Sequence, residues 1–325
     1  MDISTTYMGL ALESPVIVGS SGLTNAVHKL KEIQDAGAGA VVLKSIFEEE
    51  IAYEYNDLIK ETYQKTGYNL EQFDYLDFEL KGKKLHAYLE LINQAKAGVR
   101  MPVIASVNCV YSHEWVSFAS QIAKSGADAL ELNMFFAPTD LEQESNDLEK
   151  VYFQIVEKLL ETITIPVSLK ISYYFSNLGR MIQQLSETGV SGLVLFNRFF
   201  SPDIDTDKFE VKPSFVFSSP SDIAISLRWM AIMSQRVNCD LAASTGVHDA
   251  QGVIKHILAG AQAVQMVSTL YKNKIPYLKT VNRDIQNWME IHGFNTLADF
   301  RGKLSQSKAD NPAIYDRLQF MKYYS

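Results

Sequence analysis

Cysteine is scarce in this 325-residue chain: Cys109 and Cys239 are too few for a disulfide framework or a cysteine-based zinc site. The six histidines show no metal-ligand spacing, so no metal is expected. Basic charge is also short, with 30 Lys+Arg against 38 Asp+Glu and a net charge of −8. The densest basic stretch, 81–84, sits beside Asp74, Asp77 and Glu79. Without a basic surface, neither nucleic acid nor an anionic membrane is an expected partner. No apolar run approaches the roughly 20 residues that cross a bilayer. The opening MDISTTYMG lacks the basic start and apolar core of a signal peptide, so a cytoplasmic protein is expected. There is no Walker loop, and no G-x-G-x-x-G follows a strand, which removes the usual nucleoside triphosphate and dinucleotide sites.

What the chain does have is alternation. Apolar residues make up 47% and charged residues 21%, enough to bury a large core. Eight short runs read as strands: 15–20 (PVIVGS), 40–45 (AVVLKS), 102–107 (PVIASV), 129–134 (ALELNM), 166–172 (PVSLKIS), 192–197 (GLVLFN), 240–245 (DLAAST) and 263–269 (AVQMVST). Nearly continuous apolar runs of this length suit parallel strands covered on both faces. Helical periodicity lies between them, at 27–35, 115–124, 148–161 and 223–235. Four helices end in DAGAGA, KSGADA, ETGVSG and LAGAQA, where glycine accepts the left-handed conformation that closes a helix. Strand, helix and small-residue turn recur with no pause, which predicts a single (β/α)₈ TIM barrel over 1–325, with 3–12 as an added N-terminal hairpin. One connection is out of proportion: 46–83, between strand 2 and helix 2, is rich in Glu, Asp, Tyr and Phe. It reads as an active-site cover or as a small helical insertion without ligand contact.

Barrel enzymes carry their chemistry at the C-terminal ends of the strands. Those positions hold Ser20, Ser21 and Gly22; Lys44 and Ser45; Asn108; Asn133; Lys170; Asn197 and Arg198; Ser244, Thr245 and Gly246; and Val267, Ser268 and Thr269. A lysine in an apolar strand must meet an anion or an electron-rich ligand, and for each lysine singly an internal salt bridge serves as well. Two lysines beside Asn133 and Asn197 favour a ligand, because asparagine matches a heterocycle edge of alternating C=O and N–H groups. The small residues ending strands 7 and 8 suit a phosphate held by backbone N–H groups.

At these residues the sequence resembles the flavin-dependent dihydroorotate dehydrogenase family, in particular its membrane-free class. The resemblance is carried by SSGL at 20–23, VVLKS at 41–45, ELN at 131–133, VSLKISYYF at 167–175, LFN at 195–197 and STG at 244–246, then LAGAQAVQMVSTLYK at 258–272 and GFNTLADFRGKL at 293–304. It implies FMN as cofactor, with Ser20, Ser21, Gly22, Lys44, Ser45, Asn133 and Lys170 around the ring and ribityl chain. It implies Ser244, Thr245 and Gly246 near the phosphate, Val267 and Ser268 opposite, and Asn197 on a small-molecule substrate. It further implies hydride transfer from dihydroorotate in pyrimidine biosynthesis, a soluble electron acceptor and a homodimer.

Two departures stand out. The family's N-x-x-C-P-N loop, whose Cys or Ser removes the substrate proton, is here Asn133-Met-Phe-Phe-Ala-Pro-Thr139, with Phe136 or Ala137 at the base position. Neither side chain accepts a proton. The proton then leaves through water, Thr139 or a group of the insertion. The family's N-x-M-G-L-P-N stretch is replaced by residues 76–82. Arg198 either grips a substrate carboxylate bidentately or pairs with the insertion. The flavin half of the site is therefore expected intact, with Lys44, Asn133, Asn197 and Thr139 nearest the chemistry. The orotate half is expected to be rebuilt, for a different ring or for flavin binding without dihydroorotate turnover.

Overall fold

All eight apolar runs form parallel strands, and these close into one barrel. The computed structural model describes residues 1–47, 73–108, 115–136, 139, 141, 142, 144–199, 201–214 and 216–317. A hairpin of β1 (Thr5–Tyr7) and β2 (Leu10–Leu12) precedes the first barrel strand, β3 (Val16–Val18). Then come β4 (Ala40–Val42), extended by β5 (Ile46–Phe47), and β6 (Val103–Asn108), β7 (Ala129–Met134), β8 (Val167–Ile171) and β9 (Gly192–Leu195). A second hairpin, β10 (Ser201–Asp205) with β11 (Glu210–Ser214), follows, and β12 (Asp240–Ala243) and β13 (Ala263–Met266) complete the barrel. The order β4-β3-β13-β12-β9-β8-β7-β6 is joined end to end by pairing of β4 with β6.

Helices at Val27–Asp35 and Trp115–Lys124 have the bounds the periodicity gives. Gly37, Gly126, Gly189 and Gly260, in the four helix-ending strings, all take positive φ. Two differences concern the connections. Helix Phe73–Gly98 takes in 73–83, the end of the expected 46–83 connection; Phe73, Leu76 and Leu80 have helical spacing, and Gly82 does not end the helix. The β10–β11 hairpin is an addition to the eight expected strands and the N-terminal hairpin. The 48–72 part of the expected cover, and Cys109, His113 and Ala137, lie outside the described residues.

Two buried layers position the site. An outer one fills the space between strands and helices, with Leu30, Ile33, Ile92, Val156 and Leu185 among its members. An inner one lies within the barrel: Ile17, Ala40, Val42, Ile104, Ala129, Val194, Ala242 and Ala263, closed from the N-terminal side by Tyr7, Met8 and Leu12. Small residues leave room for the fully buried Tyr7 ring, and a Cβ at Gly192 would sit 2.9 Å from its hydroxyl. Met8 N–H donates to Asp240 Oδ2 at 2.7 Å and the Thr5 hydroxyl to the Gln262 carbonyl at 3.1 Å, which fixes the hairpin as a plug. Tyr7→Ala should therefore lower stability by about 3–5 kcal/mol, read from the urea midpoint.

His256 is wholly buried on helix Ala250–Ala259, with Nε2 3.0 Å from Ser226 Oγ and Nδ1 2.8 Å from the Gly252 carbonyl. Burial pushes its pKa down to about 4, so the native state holds it neutral. The unfolded chain binds the proton first, and stability present above pH ~6.5 should fall by about 3 kcal/mol as pH drops towards 4. Urea midpoints across that range, compared with His256→Gln, check the slope.

Candidate active site

Alternation sends every second strand residue into the lumen. Above Ile104, Ala129, Ala242 and Ala263 of the inner layer come Ser106, Glu131, Ser244 and Gln265, and then Asn133 one step higher on β7. The barrel is thus apolar at its plugged end and polar towards its mouth. Lys170 is only 7% exposed and Glu131 is 0% exposed. Lys170 Nζ donates to Gln265 Oε1 at 2.7 Å and stands 3.8 Å from Glu131 Oε1, while the Gln265 amide donates to Glu131 Oε2. The internal salt bridge considered for this lysine exists.

A second cluster surrounds Asn133. Its Nδ2 donates to Ser45 Oγ and Ser106 Oγ, each at 3.0 Å, and those hydroxyls are 2.7 Å apart. Ser20 Oγ lies 3.0 Å from Ser45 Oγ and accepts from Ser45 N–H at 2.9 Å. Ser21 caps the short turn Gly22–Thr24, its hydroxyl accepting from Leu23 N–H at 3.2 Å. A Cβ at Gly22 would come within 2.8 Å of the Tyr271 hydroxyl.

Beyond β12 the backbone turns through Thr245 and Gly246, at φ 77 and 78. A Cβ at Gly246 would meet Ile223 N at 2.1 Å, so only glycine lets these segments approach. The Thr245 hydroxyl donates to the Phe196 carbonyl at 3.1 Å, and Ser268 Oγ accepts from Ser218 N–H at 3.0 Å. A cavity of about 290 Å³ runs from Lys170 and Ser20, past Asn197, to Thr245, Gly246 and Ser268. Ser244, Gln265 and Val267 also line it.

Other expected residues fall elsewhere. Lys44 is exposed, not buried in strand 2. Between the pairs Val42↔Ile104 and Ile46↔Val107, four steps along this strand face three along β6, and the extra residue breaks the alternation at Lys44 and buries Ser45. Thr139 is exposed in the loop after β7 and does not line this cavity. Arg198, by contrast, lines the cavity, and among the described residues its Nη1 donates to the Val216 carbonyl at 2.9 Å and its Nε stands 3.7 Å from Asp222 Oδ2.

Aromatic rings crowd the mouth over β7, β8 and β9. Phe135 meets Phe199 edge-on at 3.8 Å between centroids, Tyr174 meets Phe199 at 4.2 Å, and Tyr173 stacks on Tyr174 at 4.7 Å. Phe136 instead packs edge-on to Tyr152 at 5.0 Å, on the helix side of the loop. Burial and the neighbouring Tyr174 raise the Tyr173 phenol above its ordinary pKa, so at neutral pH it is a proton donor and not a base. Glu131, Ser106 and Gln265 were missed as site residues, although each is a polar residue at lumen parity in an apolar strand. Among the described residues no group of His, Cys, Asp and Glu is arranged to hold a metal. Nor is any described helix long and apolar enough to cross a membrane.

The family model described as dihydroorotate dehydrogenase matches residues 2–289. A catalytic subunit of dihydroorotate dehydrogenase B (NAD(+)) from Thermoplasma volcanium is 25% identical, over 93% of this chain and 98% of that protein. Dihydroorotate dehydrogenase A (fumarate) from Lactococcus lactis is 22% identical, over 93% of this chain and 99% of its own length. The chloroplastic dihydropyrimidine dehydrogenase (NADP(+)) of Arabidopsis thaliana is 22% identical, over 93% of this chain and 76% of that protein.

Lys170→Met leaves the Glu131 carboxylate buried without its cation and should cost about 3–5 kcal/mol, whereas adding Glu131→Gln should recover most of that loss. Urea unfolding of the two single variants and the double variant gives the coupling directly.

Proposed function

Because the chain belongs to the dihydroorotate dehydrogenase family, we propose that it is an FMN-dependent oxidoreductase acting on CH–CH bonds, taking a hydride from dihydroorotate or a related small cyclic substrate and passing electrons to a soluble acceptor. A homodimer is part of the same reading. The carrying observation is the donor set along the 290 Å³ cavity: Lys170 and Ser20 at one end, with Asn133 the register partner of Lys170 on β7, and the glycine-dependent turn at Thr245–Gly246 at the other.

That set fits a flavin with a phosphate tail. Lys170, held by Glu131 and Gln265, offers a fixed cation to a ring edge that gains negative charge. Asn133, Ser45 and Ser20 form one hydrogen-bonded array from which amide and hydroxyl groups can be offered to polar ring atoms. Gly22 and Gly246 keep their positions free of side chains, and Thr245, Gly246, Val267 and Ser268 supply backbone N–H groups for a phosphate. Bound FMN supplies a two-electron acceptor for the substrate hydride. Asn197, which lines the cavity just beyond β9, is the residue we assign to substrate contact.

Proton removal is the altered part. Phe136 is committed to Tyr152, and Thr139 is the hydroxyl left in that loop among its described residues. That observation favours a second reading with the same cofactor, a reductase acting on a different ring, in which a phenol such as Tyr173 donates a proton.

Visible absorbance tests the proposal. Purified protein should carry or take up FMN one to one, showing a band near about 450 nm that bleaches anaerobically on adding L-dihydroorotate or dihydrouracil. Lys170→Met should weaken FMN binding, read by fluorescence quenching of the free flavin. Protein that takes up no FMN, or keeps FMN that neither ring reduces, overturns the proposal.

A further inference from the structure

A second cavity, of about 180 Å³, opens beside the 290 Å³ cavity and shares Asn197, Arg198, Phe199, Ser244 and Thr245 with it. Its aromatic wall is Tyr173, Tyr174 and Phe199, the same rings that pack on one another at 4.2–6.4 Å between centroids. Its charged pair is Arg198 with Asp222. The guanidinium spends Nη1 on the Val216 carbonyl at 2.9 Å and turns Nε towards Asp222 at 3.7 Å. Asp222 is itself oriented, accepting from Ser219 N–H at 2.9 Å.

We propose that this pocket selects a neutral planar ring, such as an uncharged pyrimidine, over a ring bearing a carboxylate; the inference rests on the flavin reading above and names the substrate class of that site. Three features act in one direction. Ring faces carry the negative side of the aromatic quadrupole, so a carboxylate gains nothing against Tyr174 or Phe199, whereas a neutral heterocycle stacks on them or meets them edge-on. Arg198, the cation lining the pocket among the described residues, already has hydrogen-bond and ion-pair partners, and a carboxylate must displace them before it can bind bidentately. Asp222 places a negative charge in the pocket wall, which repels a second one. Asn197 remains as the donor–acceptor pair for a C=O/N–H edge.

The test uses FMN-loaded protein and two ligands that differ at one substituent: orotate, and 6-methyluracil, with methyl in place of the carboxylate. Perturbation of the flavin visible band gives each dissociation constant. 6-Methyluracil should bind at least roughly tenfold tighter than orotate. Asp222→Asn, which removes the wall charge and loosens Arg198, should shift the ratio towards orotate, while Phe199→Ala should weaken 6-methyluracil more than orotate. Equal binding, tighter binding of orotate, or an Asp222→Asn variant with an unchanged ratio overturns the inference. Failure to load FMN is a separate result that strikes the flavin reading itself, so the two failures are told apart before any ring is added.

Discussion

A carboxylate at 0% exposure inside a barrel is the constraint around which the rest is arranged. Taking Glu131 out of water is unfavourable unless a cation and hydrogen-bond donors meet it, and both arrive from other strands: Lys170 from the neighbouring β8, and Gln265 from β13, which β8, β9 and β12 separate from β7 along the wall. The contact therefore spans the lumen. An eight-stranded barrel is just wide enough for side chains to fill, so long side chains reach across it, and Ala40, Ala129, Ala242 and Ala263 lie in the layer beneath. The same small residues create the space that Tyr7 fills from below. Plug, alanine layer and ion pair are thus consecutive levels of one stack, and the cavity at the mouth is what remains above it.

That stack also explains which lumen residues a sequence reveals. Lys170 and Asn133 were legible because a polar residue in an apolar strand has to be satisfied, and the satisfaction is found in the lumen. Glu131 and Gln265 obey the same rule two residues from Asn133 and Val267, and parity counted back from the strand ends would have found them. Lys44 was misplaced for a physical reason: one extra residue between Val42 and Ile46 breaks the period of two on which the argument depends. The β10–β11 hairpin gave no signal because its strands, SPDID and EVKPS, carry prolines and charges and bury neither face, so no alternation marks them. The strand count, the N-terminal hairpin and the four glycine-closed helices were legible because each reflects a local rule that tertiary contacts do not override.

The mouth divides by chemistry. Towards β12 and β13 it is small, hydroxyl-rich and dependent on glycine, a surface for a phosphate and a polar ring edge. Towards β7, β8 and β9 it is aromatic, with Phe135, Tyr173, Tyr174 and Phe199 in mutual contact. In the proposed reading the first half holds the flavin, and the second includes the loop in which the resemblance implies a proton acceptor. A barrel tolerates this because the two halves come from different βα loops on a shared wall, so one changes without disturbing the other.

The aromatic half is internally consistent. The loop after β7 presents Phe135 to Phe199 at the mouth and sends Phe136 back to Tyr152, so its described aromatic side chains are used in packing. Arg198 is neutralised by Asp222 and by the Val216 carbonyl, and both partners come from the segment that follows the β10–β11 hairpin. The hairpin's connection back to helix Ile223–Met233 thereby sets the electrostatics of the pocket: it supplies the carboxylate that occupies the arginine, and the glycine at 246 lets its end approach the turn beneath. Substrate charge and hairpin placement are then one problem, since moving the segment at 216–222 would both release the guanidinium and reshape the wall against which a ring is held.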